Sequence, residues 1–259
     1  QAPIRALMEL KQVEAQQAAQ LMHYYESQNL SIKEFYFELQ QLLGDRLLVD
    51  KTPTYPFDPN ILKRAETDFE DAKFIHLVRH PYAMIYSFIE AKLDQNFFRH
   101  EHKFSRQQLA ELIWFVSNRN ILEFLETIPQ ERHCRLRFED LLNSPQSELE
   151  QVCQFLHVDF EPEMLEPYKG QKMTDGVNKT TQMVGDFKFY LHKNINTSVA
   201  ERWRNFHNTD FLSDLAWDLA DRFVYPVEKD LAAKRTERGA EHLEKIEPIS
   251  RESELPLSF

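Results

Sequence analysis

Apolar residues near the start of the chain recur at helical spacing. Between residues 6 and 22 they are Ala6, Leu7, Leu10, Val13, Ala18, Leu21 and Met22. This pattern predicts helices throughout the segment. Ser31, followed by Glu34, is a plausible N-cap for a next helix at about Ile32–Leu43 that ends at Gly44; we expect the capping-box partner one residue off its ideal position.

Three short apolar runs predict β-strands. They cover residues 46–50, 74–78 and 134–138. Each run is too short for a helix, and the first, bounded by glycine and proline, suits a strand buried on both faces. After the second run Pro81 stands where a helix can begin, and helical periodicity continues over residues 82–92. The predicted order is strand, tight turn, helix.

Further helices are predicted over residues 107–127, 147–156 and 210–223, where helical periodicity returns. Strands that alternate with helices favour the α/β class, a parallel sheet with helices on both faces. Residues 162–197 carry weak signals, and both a substrate-gating segment and a plain surface loop fit them.

Composition and charge fit a folded protein in an aqueous compartment. Hydrophobic residues make up 42% of the chain and charged residues 28%, which predicts a packed core. The net charge of -11 disfavours broad nucleic-acid binding. No run of apolar residues is long enough to span a membrane. We therefore expect a cytoplasmic protein in which Cys134 and Cys153 are reduced.

The length of 259 residues suits one sizeable domain. We expect that domain over residues 1–236. Residues 237–259 mix charges with Pro248 and Pro256, a composition typical of an extended linker.

The sharpest motif is Leu-Val-Arg-His-Pro at residues 77–81, with Ser87 eight positions beyond Arg79. Arg79 leaves a predicted strand and Ser87 lies in the following helix, so both can face one anion beside the start of that helix. A guanidinium fork and a hydroxyl both donate to phosphate oxygens. The alternative is an arginine paired with a carboxylate and a serine that only packs. Candidates for a local basic pocket, or else for a solvated basic face, are Arg79, Lys188, Lys193, Arg202 and Arg204.

Several segments together resemble sulfotransferases that use 3'-phosphoadenosine 5'-phosphosulfate (PAPS). Arg79-His80-Pro81 with Ser87 resembles their 3'-phosphate-binding motif. Val-Asp-Lys-Thr-Pro-Thr-Tyr at residues 49–55 resembles the Lys-Thr/Ser-Pro segment that precedes it, and Arg-Phe-Glu-Asp-Leu at residues 137–141 resembles the family's Arg-Tyr-Glu-Asp-Leu. Ala-Glu-Arg-Trp-Arg at residues 200–204 resembles a late Trp-Arg segment. The combination is far more specific than any one element.

The resemblance implies the sulfotransferase fold, a P-loop-like parallel sheet flanked by helices on both faces. It also implies that Arg79, Ser87 and Phe138 bind the nucleotide, with adenosine 3',5'-bisphosphate as product. Phe138 stands where many members have tyrosine, which removes a hydroxyl and keeps an aromatic face. Members begin with a strand and a loop for the 5'-phosphosulfate. No glycine precedes Gly44 here, so we expect that strand and loop to be absent from this sequence.

Two further residues are candidates for the chemical step. Lys51 follows a predicted strand, where a cation can reach the sulfuryl or leaving-phosphate oxygens; a surface charge is the alternative. His192, one of ten histidines, is the expected general base on its place in the family, because imidazole titrates near neutral pH. The family requires no metal, and no metal-ligand cluster is apparent in the sequence.

Within this family, the sequence looks most like the sulfotransferase domains of cyanobacterial polyketide synthases, of the curacin and olefin synthase type. This likeness rests on residues 47–88, His192, residues 195–196 and residues 200–204. It implies sulfation of the β-hydroxyl of an acyl chain on an acyl carrier protein, which prepares decarboxylative formation of a terminal alkene. It also implies a neighbouring thioesterase or other assembly-line domains. Residues 249–259 resemble the opening of a condensation domain, with an ordinary linker as the alternative.

Other functions stay open at this point. A kinase-like P-loop phosphotransferase is disfavoured because the sequence has no Gly-x-x-x-x-Gly-Lys-Ser/Thr and no clear magnesium-holding pair. A non-catalytic docking domain of an assembly line is a second alternative. A sulfotransferase for a free small-molecule hydroxyl is a third.

Overall fold

The computed structural model describes residues 2–93, 102–169, 194–206 and 211–225. The helices are α1 (Ala2–Lys11), α2 (Ala15–Ser27), α3 (Ile32–Leu43), α4 (Pro59–Asp68), α5 (Pro81–Glu90), α6 (Arg106–Leu125), α7 (Phe138–Asn143), α8 (Pro145–Leu156), α9 (Ser198–Glu201) and α10 (Asp214–Asp221). The strands are β1 (Phe74–Val78) and β2 (His133–Arg137). Short 3-10 helices are Tyr55–Phe57, Gln130–Arg132, Pro162–Leu165 and Arg202–Phe206. Among the described helices, none combines the length and the apolar character that crossing a membrane requires.

The described residues fall into two compact units. The first unit takes the described parts of Gln1–Pro53, Arg64–Ala72 and Phe160–Asn196. The second unit takes those of Thr54–Lys63, Lys73–Asp159 and Thr197–Phe259. The prediction of one domain with a terminal linker from residue 237 stays a prediction, because those last residues lie outside the described ranges.

The first unit contains α1, α2 and α3, as the helical periodicity predicted. Its buried core consists of Leu7, Ala18 and Leu39. Ser31 Oγ accepts the N–H of Glu34 at 3.2 Å, and the Glu34 carboxylate accepts the N–H of Ser31 at 2.7 Å. Glu34 is the third helical residue, so the capping box is complete and the expected offset of one residue was wrong. The helix ends at Gly44, whose φ of 63° is one that residues with a side chain rarely adopt.

The first predicted strand, residues 46–50, is not a strand. These residues have no regular secondary structure, and Leu47 and Val49 are 50% and 74% exposed. The prediction assumed that neighbouring strands bury such a run on both faces. In the described part of the first unit there is no strand beside which it could pair. The segment is held instead by a hydrogen bond from the Tyr36 hydroxyl to the Asp50 carboxylate at 2.8 Å.

The second unit is organised around the parallel pair β1 and β2, and both strands were predicted. Phe74 lies opposite His133, and Val78 lies opposite Arg137. The prediction for β2, residues 134–138, was displaced by one residue, because Phe138 begins α7 and does not end the strand. Since parallel strands have their carboxyl ends at the same edge, the residues that follow β1 and β2 come close together.

Helices α5, α6 and α10 share the largest core of this unit with β1. Its biggest buried side chains include Tyr82, Ile85, Trp114, Trp203, Trp217 and Phe223. The predicted strand, turn and helix order is confirmed, with Pro81 as the first residue of α5. Glu111 on α6 is buried, and its Oε1 accepts the Ser213 N–H at 2.7 Å and the Ser213 hydroxyl at 2.5 Å. Ser213 also caps α10, so this helix begins later than the predicted residue 210.

Helices α4 and α7 were not predicted. In α4 only Leu62 is buried, and polar or charged residues dominate its sequence, so its few apolar positions did not predict a helix. Helix α7 is short and follows directly after β2. Its start at Phe138 matters for the site, because it places Phe138 and Glu139 at the carboxyl edge of the strand pair.

Candidate active site

The peptide bond between Arg79 and His80 is the first element of the site. It forms the turn between β1 and α5. The Arg79 carbonyl accepts a hydrogen bond from Trp114 Nε1 at 2.9 Å. The His80 N–H donates to Oε1 of the Glu139 carboxylate at 3.0 Å. Because a peptide unit is planar, hydrogen bonds at both its ends fix its orientation.

The Arg79 side chain lies over an aromatic ring at this edge. Its guanidinium carbon is 4.5 Å from the centre of the Phe138 ring, and cations are attracted to ring faces at this distance. Both residues are half-buried. The structure therefore brings together two of the residues that were predicted to bind a nucleotide, although they follow different strands.

Two further arginines lie over aromatic rings in the same way. Arg137, the last residue of β2, lies 4.5 Å from the ring centre of Tyr225. Arg204 lies 4.5 Å from the ring centre of Trp203. Arg204 was among the candidates for a basic pocket, whereas Arg137 was not, although it begins the Arg-Phe-Glu-Asp-Leu segment.

The carboxylate partners of these two arginines lie near the surface. Arg137 is 3.5 Å from Asp140, whose side chain is 44% exposed. Arg204 pairs with Glu201, whose side chain is 52% exposed. Such exposed ion pairs contribute at most about 1 kcal/mol. These ion pairs therefore hold the two arginines only weakly.

His80 lies fully buried among the arginines. Its ring is stacked on the Trp203 indole, with centroids 3.7 Å apart and an interplanar angle of 10°. Burial lowers the pKa of His80 to about 3. The three arginines of this cluster, Arg204, Arg137 and Arg79, add to the shift. The imidazole is thus neutral near pH 7, and its stack joins the late Trp-Arg segment to the turn after β1.

Glu139 connects this turn to the last described residue. Its side chain is buried, and while Oε1 accepts the His80 N–H, Oε2 accepts the Tyr225 hydroxyl at 2.7 Å. The same hydroxyl lies 3.3 Å from the carbonyl oxygen of Val78. Burial, reinforced by Glu139, raises the pKa of Tyr225, so its hydroxyl stays a donor. The sequence analysis did not predict the roles of Glu139 and Tyr225. Glu139 does lie within the Arg-Phe-Glu-Asp-Leu motif, whereas Tyr225 lies in no motif.

No described contact links the remaining predicted residues to the cluster around Arg79 and Phe138. Ser87 is half-buried in α5, and its part in binding an anion stays a prediction. Lys51 is exposed in the first unit. His192, like Lys188 and Lys193, lies outside the described residues. Arg202 pairs with Glu90 at 2.9 Å on the surface, which favours the solvated basic face for this residue.

This edge has the chemistry for an anion attached to a flat ring. Guanidinium groups donate several hydrogen bonds to phosphate-like oxygens, and aromatic faces accept flat heterocycles. Among the described residues no group of His, Cys, Asp or Glu side chains is placed to hold a metal ion.

Comparisons with known proteins agree with the motifs. A model of the sulfotransferase family matches residues 2–162. A solved sulfotransferase domain from the curacin biosynthetic pathway is 39% identical with a TM-score of 0.81, over 87% of this chain and 79% of that one. A sulfotransferase domain from the olefin synthase of Synechococcus PCC 7002 is 36% identical with a TM-score of 0.77, over 87% and 75% of the two chains. No curated protein matches significantly. The resemblance and the α/β fold expected from it are confirmed.

The buried histidines make stability depend on pH. Burial lowers the pKa of His76 to about 4 and that of His80 to about 3, whereas an unfolded histidine has a pKa of about 6.5. Below pH 6.5 these two histidines bind protons in the unfolded chain, whereas they stay neutral in the folded protein. We predict that the contribution of the two neutral histidines to the free energy of unfolding is complete above about pH 6.5. It is lost as the pH falls towards 4 for His76 and 3 for His80, by about 1.4 kcal/mol per pH unit for each histidine.

Urea unfolding at pH 7.5, 6.5 and 5.5 measures the slope of the free energy of unfolding against pH. His80→Phe keeps an aromatic ring against Trp203 and removes the titrating group, so the slope should fall. The control His23→Gln alters a histidine whose side chain is 81% exposed and should leave the slope unchanged. An unaltered slope in His80→Phe would contradict the assignment.

Proposed function

The chain belongs to the sulfotransferase family, and on that premise we propose that it transfers a sulfuryl group from PAPS to the β-hydroxyl of an acyl chain on an acyl carrier protein. The family membership supports a transferase. The observation that carries the choice of donor is the Arg79 guanidinium over the Phe138 ring, at the edge where two parallel strands end.

The residues at this edge fit the nucleotide part of PAPS. Arg79 would donate hydrogen bonds to the 3'-phosphate, and Ser87 would add a hydroxyl donor. Phe138 would offer its aromatic face to the adenine ring. Arg137 and Arg204 add positive charge around the same turn. ATP carries no 3'-phosphate, so this arrangement favours PAPS over ATP.

The residues proposed for the chemical step have separate tasks. PAPS supplies the sulfuryl group and a phosphate leaving group. Lys51 would balance negative charge on the transferring oxygens. His192 would accept the proton of the attacking hydroxyl, since imidazole titrates near neutral pH. Arg79 and Phe138 would orient the donor, and orientation alone accounts for much of the rate in such reactions.

The names of the structural relatives support a carrier-bound acceptor. One relative is a domain of the curacin biosynthetic pathway and the other is a domain of an olefin synthase. In our proposal the sulfate makes the β-oxygen a good leaving group, and a neighbouring thioesterase completes decarboxylative formation of the terminal alkene. If the carrier domain is tethered nearby, its high effective concentration allows a weak contact to suffice.

Arg79→Ala should weaken the binding of adenosine 3',5'-bisphosphate by about 2 kcal/mol or more, because a charge-assisted contact is lost. Isothermal calorimetry measures this change. The control Arg64→Ala removes an arginine that is 62% exposed and pairs with Asp68 on the surface. This variant should bind adenosine 3',5'-bisphosphate as tightly as the wild type does. Unchanged affinity in Arg79→Ala would refute the assignment. A melting temperature raised by ATP and not by the bisphosphate would favour the phosphotransferase alternative.

The acceptor can be identified by competition between substrates. With PAPS as donor, we expect sulfation of a β-hydroxyacyl carrier protein and little sulfation of free phenols, because the carrier presents the chain at the site. Mass spectrometry of the carrier protein measures the transfer. Efficient sulfation of simple phenols by a protein inert towards the carrier-bound chain would favour the free small-molecule alternative.

His192→Gln should lower turnover by about a hundredfold and leave the affinity for PAPS nearly intact, because a base that acts only on the hydroxyl matters for the chemical step. Single-turnover kinetics and calorimetry on the same preparation separate the two effects. The matched variant His23→Gln should retain full turnover. Near-normal turnover in His192→Gln would eliminate this residue and direct the search to Lys51.

A further inference from the structure

Two adjacent residues on α7 contact two adjacent residues after β1. Phe138 lies under the Arg79 guanidinium, and Glu139 accepts the N–H of His80. The first contact acts on the side chain of Arg79, and the second acts on the peptide bond between Arg79 and His80. Their combined effect is to define where the guanidinium group lies.

The backbone contact is strong for structural reasons. Glu139 is 5% exposed, and its two carboxylate oxygens accept hydrogen bonds from the His80 N–H and the Tyr225 hydroxyl, as a buried polar group requires. The peptide that it holds is also fixed at the other end by Trp114, which is 1% exposed. A planar peptide held at both ends sets ψ of Arg79, and this angle determines the direction in which β1 passes into α5.

We propose that Glu139 is a positioning residue for nucleotide recognition: its carboxylate holds the peptide between Arg79 and His80 so that the Arg79 guanidinium remains over Phe138, where it can receive a 3'-phosphate. This inference rests on the proposed function. Glu139 touches neither the nucleotide nor the reacting atoms; it acts through Arg79.

The other oxygen of Glu139 is fixed by a residue whose own placement is costly. Tyr225 reaches Glu139 directly after Val224, which has a φ of 61°. A β-branched residue adopts this left-handed backbone only when its surroundings compel it. Here the buried neighbours Phe223 and Tyr225 do so, since they are 0% and 1% exposed. The carboxylate is therefore held from two sides and has little freedom to turn away from His80.

The test separates the shape of the side chain from its charge. Glu139→Gln keeps the length, and its amide oxygen can accept the His80 N–H while its amide group donates to the Tyr225 oxygen. Glu139→Asp keeps the charge but is one methylene too short to reach both donors. The readout is the ratio of the dissociation constants of adenosine 5'-phosphate and adenosine 3',5'-bisphosphate, which reports the contribution of the 3'-phosphate alone.

We expect a large ratio in the wild type, a ratio within about threefold of it in Glu139→Gln, and a loss of about tenfold in Glu139→Asp. Glu111→Asp is the matched control, because Glu111 is equally buried and accepts two hydrogen bonds from Ser213. It should lower the melting temperature without changing the ratio. If Glu139→Asp does not fold, Glu139→Met replaces it, since methionine has similar length and no oxygen acceptor.

The outcomes are distinct. An unchanged ratio in Glu139→Asp, or an equal loss in Glu111→Asp, overturns the positioning role and leaves the proposed function intact. A loss in Glu139→Gln as great as that in Glu139→Asp, or greater, shows that charge is decisive and also overturns it. A wild-type ratio near one refutes the proposed donor itself, and the positioning role with it.

Discussion

The parallel pairing of β1 with β2 in a single register is the constraint on which the site depends. Because Val78 lies opposite Arg137, the next residues, Arg79 and Phe138, leave the strands at the same level. A strand advances by about 3.3 Å per residue, so a slip of one position would carry the Phe138 ring away from the guanidinium. It would also turn the buried side chains of β1 outward. The core and the site therefore stabilise the same register.

The starts of two helices were predicted from local signals. Ser31 marks the start of α3, although the spacing of its capping box was misjudged by one residue, and Pro81 marks the start of α5 whatever lies around it. The strand predicted at residues 46–50 failed because its apolar pattern says nothing about a partner. Strand β1 has that partner in β2, whereas the described part of the first unit offers none. Whether an apolar run becomes a strand is decided by residues distant in sequence.

In the candidate site, too, local motifs identified some residues, whereas the roles of others depend on distant partners. The motifs pointed to Arg79 and Phe138, and their contact supports the choice. The roles of Glu139 and Tyr225 were not visible, because each is defined by a partner far along the chain. Glu139 accepts a hydrogen bond from His80, 59 positions before it. The Tyr225 hydroxyl donates to the carbonyl oxygen of Val78, 147 positions before it. The Arg-Phe-Glu-Asp-Leu motif includes Glu139, but a motif does not show which hydrogen bonds its carboxylate makes.

Aromatic faces help to orient the three arginines of the site. A carboxylate orients a guanidinium by neutralising it, which competes with an anionic ligand, whereas an aromatic face orients it and leaves its charge available. Arg79, Arg137 and Arg204 each lie over such a face, although Arg137 also pairs with Asp140 and Arg204 with Glu201 near the surface. Their field adds to the burial that keeps His80 uncharged. A bound anion would offset the field but not the burial, which is the larger cause. His80 would therefore remain neutral and stacked on Trp203 in both the free and the bound state.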